Sequence, residues 1–158
     1  MFRFWYRYVF SNRTLLETGA AEIVWKQKIA PDYSTYMGLV FEQVCRDYLL
    51  AQNVQGKLPF LFTEIGRWWG SDPKTRKAVE IDLIASDGKA YIFSECKWRN
   101  EQTDLSVLHG LQEKAEVFRS KRGETWFVLF SKSGFTSAVW EEVRRRKDII
   151  LITLDEII

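Results

Sequence analysis

The stretch from Ala78 to Asn100, AVEIDLIASDGKAYIFSECKWRN, leaves a chain few ways to fold. It predicts two β-strands joined by a tight turn at Ser86-Asp87-Gly88-Lys89. Side chains of a strand alternate faces with period 2. Glu80 and Asp82 are therefore expected on one face of the first strand. Tyr91, Phe93, Glu95 and Lys97 are expected on one face of the second. Where the two faces coincide, Asp82, Glu95 and Lys97 converge. Two carboxylates and an amine on a rigid sheet suit a divalent cation and a water.

The chain of 158 residues is the size of one principal domain. Its 46% hydrophobic and 28% charged residues describe a globular protein. A net charge of +2 is too small to imply a nucleic-acid partner by itself. Cys45 and Cys96 form no CxxC pair, and the single histidine, His109, leaves no Cys/His zinc cluster. Both cysteines lie in hydrophobic patterns, so buried thiols are expected, as suits a reducing cytoplasm. No apolar run approaches the ~20 residues of a membrane span. The N-terminal MFRFWYRYVF lacks a secretory cleavage site. No GxxxxGK[ST] occurs, so the sequence carries no P-loop of its own.

Phe2, Trp5, Tyr6 and Val9 have helical spacing, and a second helix is expected over 14–28, weakened by Gly19. Residues 1–33 read as an aromatic, helical N-terminal extension, closed by a break at Ile29-Ala30-Pro31-Asp32. Residues 34–158 read as the main domain. Its first helix, over 34–52, carries the stripe Met37, Val40, Phe41, Val44, Cys45, Tyr48 and Leu49. At about 100° per residue Glu42 falls at the edge of that stripe, close to Leu49. A boundary ion pair with Arg46 is its bland alternative. A strand is expected over 60–69, a turn over 70–75, and then the two strands of the opening stretch. A helix from about 104 or 106 to 121 follows. Residues 124–131, ETWFVLFS, read as a strand covered on both faces. After a loop at Ser131–Phe135 come a helix over 136–147 and a strand over 149–154. The order α-β-β-β-α-β-α-β predicts an α/β sandwich with three antiparallel strands followed by helical crossovers.

Glu42, Asp82 and Glu95-Cys96-Lys97, in this element order, resemble the PD-(D/E)XK nuclease superfamily. More narrowly, GLVFEQVCRDYL, IGRWW, EIDLIA, ECKW and SKSGFT resemble the nuclease-like domains at the C-terminus of archaeal and bacterial P-loop ATPases. FRFWYRYVF resembles the segment that links such an ATPase to that domain. The resemblance implies a restriction-endonuclease-like sandwich: a central mixed sheet with an αβββαβ core flanked by helices, plus an extra C-terminal α-β. It implies metal-dependent hydrolysis of DNA phosphodiesters in an endonuclease-like reaction. Glu42, Asp82, Glu95 and Lys97 would be the catalytic residues. Mg²⁺ or Mn²⁺ would take oxygen ligands from Asp82, Glu95 and the Cys96 backbone carbonyl, with Glu42 as an outer or second-metal ligand. Such an ion supplies Lewis acidity and an acidified water, and Lys97 offsets charge in the transition state. Glu80 is a supporting residue only.

Many superfamily members place a Gln or Lys in the following helix to assist the site. Here Gln112 and Lys114 read as an exposed helix face, and His109 as a surface residue. Candidate nucleic-acid contacts are Arg67, Trp69, Lys74, Arg76, Lys77 and Arg99, with one of Trp68 and Trp69 turned inward by the strand period. Arg144–Lys147 read as a solvated helix end. The expected partners are DNA and either a P-loop ATPase domain or a second copy, with no membrane and a cytoplasmic location. Two alternatives stand beside the enzyme. Lys97 could form a plain cross-strand ion pair, and the domain could be an inactive nuclease-fold module for docking or dimerisation.

Overall fold

The aromatic N-terminus is helical in the structure, a computed structural model that describes residues 2–118 and 123–157. α1 (Phe2–Phe4) widens into a π-helical stretch, Trp5–Val9, and a 3₁₀ turn, Phe10–Asn12. α2 (Arg13–Glu17) ends at Gly19, whose φ of 80° stops the helix expected to continue to Lys28. α3 (Ala21–Val24) passes through a second π-helical stretch, Trp25–Ile29, into α4 (Ala30–Val54). The break expected at Ile29–Asp32 is thus helical. Pro31 lies just after the π-helical stretch, where the regular α-helical hydrogen-bond register is already interrupted.

The chain divides into two compact units, Met1–Leu39 and Val40–Ile158. The boundary lies inside α4, not between Tyr33 and Ser34 as the sequence suggests. In the first unit Tyr8, Val24 and Ile29 form a small core with Phe4, Leu16 and Tyr36. The Tyr8 hydroxyl donates to Asp32 at 2.5 Å, and Arg7 pairs with the same carboxylate at 2.7 Å. Burial, and then the bond to Asp32, push the Tyr8 phenol up to about 12. Phe2, Trp5, Tyr6, Phe10 and Trp25 remain exposed.

The second unit is built on a five-stranded mixed sheet. Its strands are β1 (Glu64–Ser71), β2 (Ala78–Ser86), β3 (Tyr91–Lys97), β4 (Thr125–Ser131) and β5 (Ile149–Thr153), in the order β1-β2-β3-β4-β5. The first three are antiparallel, and β3, β4 and β5 are parallel. α5 (Leu105–Val117) connects β3 to β4, and α6 (Ser137–Arg145) connects β4 to β5. The expected end of α5 at Lys121 lies outside the described residues. The element order from α4 onward is the one the sequence predicts.

Helices cover both faces of the sheet. Phe41, Cys45 and Leu49 of α4 pack on Leu83, Ala85, Ile92, Val128, Phe130 and Ile152. Leu108, Leu111 and Ala115 of α5, with Val139 of α6, pack on the opposite face against Phe93, Phe127 and Leu129. The apolar run of β4 is therefore buried on both sides, as a strand between two helical layers must be.

β1 starts later than the run FLFTEIGRWW suggests. Asn53, near the C-terminus of α4, takes the backbone of Phe62 instead. Its amide donates to the Phe62 carbonyl and its carbonyl accepts the Phe62 N–H, both at 3.0 Å and buried. This clamp fixes where the chain leaves α4 and enters the sheet. Replacing Asn53 by Ala orphans two buried backbone groups. The Asn53→Ala variant is expected to lose roughly 2–4 kcal/mol of stability in urea unfolding. An unchanged midpoint would show that the clamp contributes nothing.

Candidate functional site

The β1–β2 pairing contains one irregularity, and it falls on the candidate site. Gly66 pairs with Ile84 and Trp68 with Ile81, so Arg67 alone faces both Asp82 and Leu83. β2 thus carries a β-bulge at Asp82–Leu83. In a regular strand Ile81 and Leu83 would share a face. Here Ile81 packs with Phe93 and Leu108 on the α5 side, and Leu83 packs with Phe41 and Cys45 on the α4 side. The bulge breaks the alternation from which a shared face for Glu80 and Asp82 is expected.

The β2–β3 ladder runs from Ser86↔Tyr91 to Leu83↔Ser94. The next backbone donor on β3, the Cys96 N–H, is taken by the Asp82 side chain, with Oδ2 accepting at 2.8 Å. Asp82 is thereby anchored across β3 between Glu95 and Lys97. Its pKa is raised, first by burial and then by the neighbouring Glu95 charge. The Glu95 side chain is only 6% exposed. Lys97 Nζ donates to its Oε1 at 2.6 Å, and Lys114 Nζ donates to its Oε2 at 2.8 Å. The structure therefore brings Asp82, Glu95 and Lys97 together and adds Lys114 from α5.

Lys114 is a correction to the sequence reading, which places it on an exposed helix face. Its signal was its spacing. It lies three residues after Leu111 and one before Ala115, at the edge of the apolar stripe of α5. Gln112 belongs elsewhere, with its amide against the Arg146 guanidinium. His109 is exposed, as expected.

Glu42 does not pair with Arg46, which instead lies 3.8 Å from Asp47. The Glu42 carboxylate contacts Arg67, whose other terminal nitrogen lies 3.2 Å from Glu80. α4, β1 and β2 are thus tied by one guanidinium between two carboxylates. This commits Arg67, a candidate phosphate contact, to protein carboxylates. Trp68 packs edge-on against Phe118, with centroids 5.4 Å apart, while Trp69 is 73% exposed, so the two tryptophans divide as the strand period requires. Lys74, Arg76 and Lys77 are exposed on the turn between β1 and β2, where Arg76 has a φ of 58°. Arg99 follows Lys97 by two residues and is half-buried.

Cys45 is buried. The Cys96 thiol is pushed well up by its hydrogen bond with Cys45 and by burial, which makes it a poor nucleophile. Among the described residues no cluster of three or more His, Cys, Asp and Glu side chains has the arrangement of a metal cage. Asp82 and Glu95, with the carbonyl of Cys96 next after Glu95 in sequence, still match the donor chemistry of Mg²⁺. That ion is commonly held by one or two carboxylates, with waters and substrate oxygens completing its shell. No helix among the described residues is long and apolar enough to cross a membrane.

A family profile described as "Archaea bacterial proteins of unknown function" (DUF234) matches residues 5–109, a span that includes Glu42, Asp82, Glu95 and Lys97. The chain belongs to that family. A protein of Methanocaldococcus jannaschii, titled as uncharacterized, is 40% identical over 133 residues, which cover 82% of this chain and 28% of that protein. The chain thus spans less than a third of its relative's length. No solved structure matches it.

The raised pKa of Asp82 makes a stability prediction. A carboxyl that holds its proton more tightly when folded loses stability as pH rises through its folded pKa. Asn keeps an acceptor for the Cys96 N–H and has no charge to bury. In chelated buffer Asp82→Asn is expected to melt above wild type at pH 7. The gain should shrink toward about pH 4, where unfolded carboxylates also become protonated. A variant that melts below wild type at pH 7 would refute this account of Asp82.

Proposed function

We propose that the chain is a nuclease-fold domain of the PD-(D/E)XK type that hydrolyses DNA phosphodiester bonds with Mg²⁺ or Mn²⁺. The observation that carries this reading is the placement of Asp82 beside Glu95 at a strand bulge, with Lys97 bonded to Glu95. The element order and the three-layer arrangement also support it. Asp82 and Glu95 would hold the cation, which supplies Lewis acidity at the phosphate and an acidified water. Lys97 presents an ammonium beside these carboxylates, where it can offset charge that builds on the phosphoryl oxygens. Lys114 orients Glu95 through its second oxygen. Glu42 stays with Arg67 as a support between α4 and the sheet. The greater length of the Methanocaldococcus relative supports placing this domain as a module of a larger cytoplasmic protein, with a P-loop ATPase as the proposed companion.

With Mn²⁺, the full chain is expected to cut linear, branched or single-stranded DNA. Asp82→Asn, Glu95→Gln and Lys97→Ala should each slow cleavage by about 10²-fold or more. If all three substrates stay intact with wild-type protein, hydrolysis by this chain alone is excluded.

Two observations favour a second reading, an inactive interaction module. Both Glu95 oxygens already carry a lysine, and Phe2, Trp5, Tyr6 and Phe10 are exposed. On this reading, removing residues 1–10 changes the oligomeric state in analytical ultracentrifugation. Triple substitution of Asp82, Glu95 and Lys97 would leave that state unchanged.

A further inference from the structure

Two cations beside the candidate site have no use in the chemistry above. Arg99 follows β3, and Lys132 follows β4, at the carboxyl ends of two adjacent parallel strands. Ligands of open α/β sheets gather outside such strand ends. Neither residue makes an ion pair among the described residues. The Lys132 ammonium donates to Asn100 Oδ1 at 2.7 Å and lies 4.8 Å from the centroid of the Trp98 ring. An ammonium has three donors, so two remain. Trp98 is itself fixed against Phe41, with centroids 5.4 Å apart. Among the described residues the guanidinium of Arg99 makes one long hydrogen bond, from Nη2 to the Gln102 carbonyl at 3.4 Å, and its charge is felt by the nearby Asp104 carboxylate. The Arg99 Nε is buried and unpartnered. A buried N–H on a cation without an acceptor is costly.

The backbone around both residues is braced. The Lys132 N–H donates to the Lys97 carbonyl at 3.0 Å, and Ser133 Oγ donates to the Arg99 carbonyl at 2.7 Å. Thr103 N–H donates to the Gly134 carbonyl at 2.9 Å, and Thr136 N–H to the Thr103 carbonyl at 3.0 Å. Ser131 and Thr103 share a hydroxyl–hydroxyl bond of 2.9 Å. Gly134, with φ of 76°, supplies the turn that this weave needs. The segment SKSGF therefore spends its polar groups on the loop that follows Glu95-Cys96-Lys97. It sets two underused cations at fixed positions relative to Lys97.

We infer that Arg99 and Lys132 each bind a backbone phosphate of DNA flanking the phosphate that would be cleaved. The inference rests on the proposed nuclease reading, which supplies the polymer. Both are binding residues. Asn100 and Trp98 position Lys132, and Ser133 positions Arg99.

The test is metal-free binding of the full chain to a fluorescent DNA duplex, measured from 50 to 200 mM salt. The plot of log affinity against log salt should lose about 0.9 of slope for each phosphate contact removed. Arg99→Ala and Lys132→Ala are each expected to lower the slope by that amount and to weaken binding about three- to tenfold at the lower salt. Lys132→Arg should restore slope and affinity, which also separates charge from a folding defect. Unchanged slopes in both alanine variants overturn the inference, as does wild-type protein that cuts DNA with no slope change in either. A slope loss in the variants of a protein that never cuts DNA overturns the hydrolysis reading and leaves this site standing.

Discussion

Asp82 and Leu83 share the space opposite Arg67, and much of the second unit follows from that mismatch. An extra residue in one strand kinks it, increases its twist and re-aims its side chains. Here it moves Ile81 into the core under α5 while Leu83 stays in the core under α4. The β2–β3 ladder stops at Leu83, and the freed N–H of Cys96 is satisfied by the Asp82 side chain. The carboxylate is therefore a structural acceptor as well as the candidate ligand. Its position depends on backbone geometry and needs no flexible tether.

Charge is arranged around this point in two separate sets. Glu95 is almost fully buried and meets an ammonium at each oxygen, from β3 and from α5. A carboxylate taken out of water needs such hydrogen-bonding partners to offset its lost hydration. Glu42 and Glu80 share the guanidinium of Arg67. The first set borders the loops after β3 and β4, whose hydroxyls and amides hold one another. The second ties α4 to the edge of the sheet. Among the described residues Asp82 makes no ion pair, and burial beside Glu95 raises its pKa. A cation placed beside it would favour its charged form.

Much of the fold was legible because periodicity reports burial. The stripe of α4, the apolar run of β4 and the turn at Ser86–Lys89 all depend on local pattern, and each element formed where the pattern lies. Boundaries slipped where a tertiary contact intervened. Asn53 captured Phe62 and delayed β1, and Gly19 ended a helix that spacing alone would have continued. Pro31 lies within a continuous helical run where the sequence suggested a break, just after a π-helical stretch that interrupts the regular register. Within the candidate site, Asp82, Glu95 and Lys97 could be read from strand alternation. Lys114 could not, since its partner lies nineteen residues away on another element.

By itself the sequence determined the identity and order of the elements from α4 onward and the three residues of the Asp82, Glu95 and Lys97 group. Those depend on side-chain period and turn chemistry within short windows. Only the tertiary structure decided that Glu80 parts from Asp82, that Glu42 belongs to Arg67, and that Lys114 closes on Glu95. A bulge is set by how two strands pair, and an ion pair by which elements pack together. Neither leaves a periodic trace in the chain that forms it.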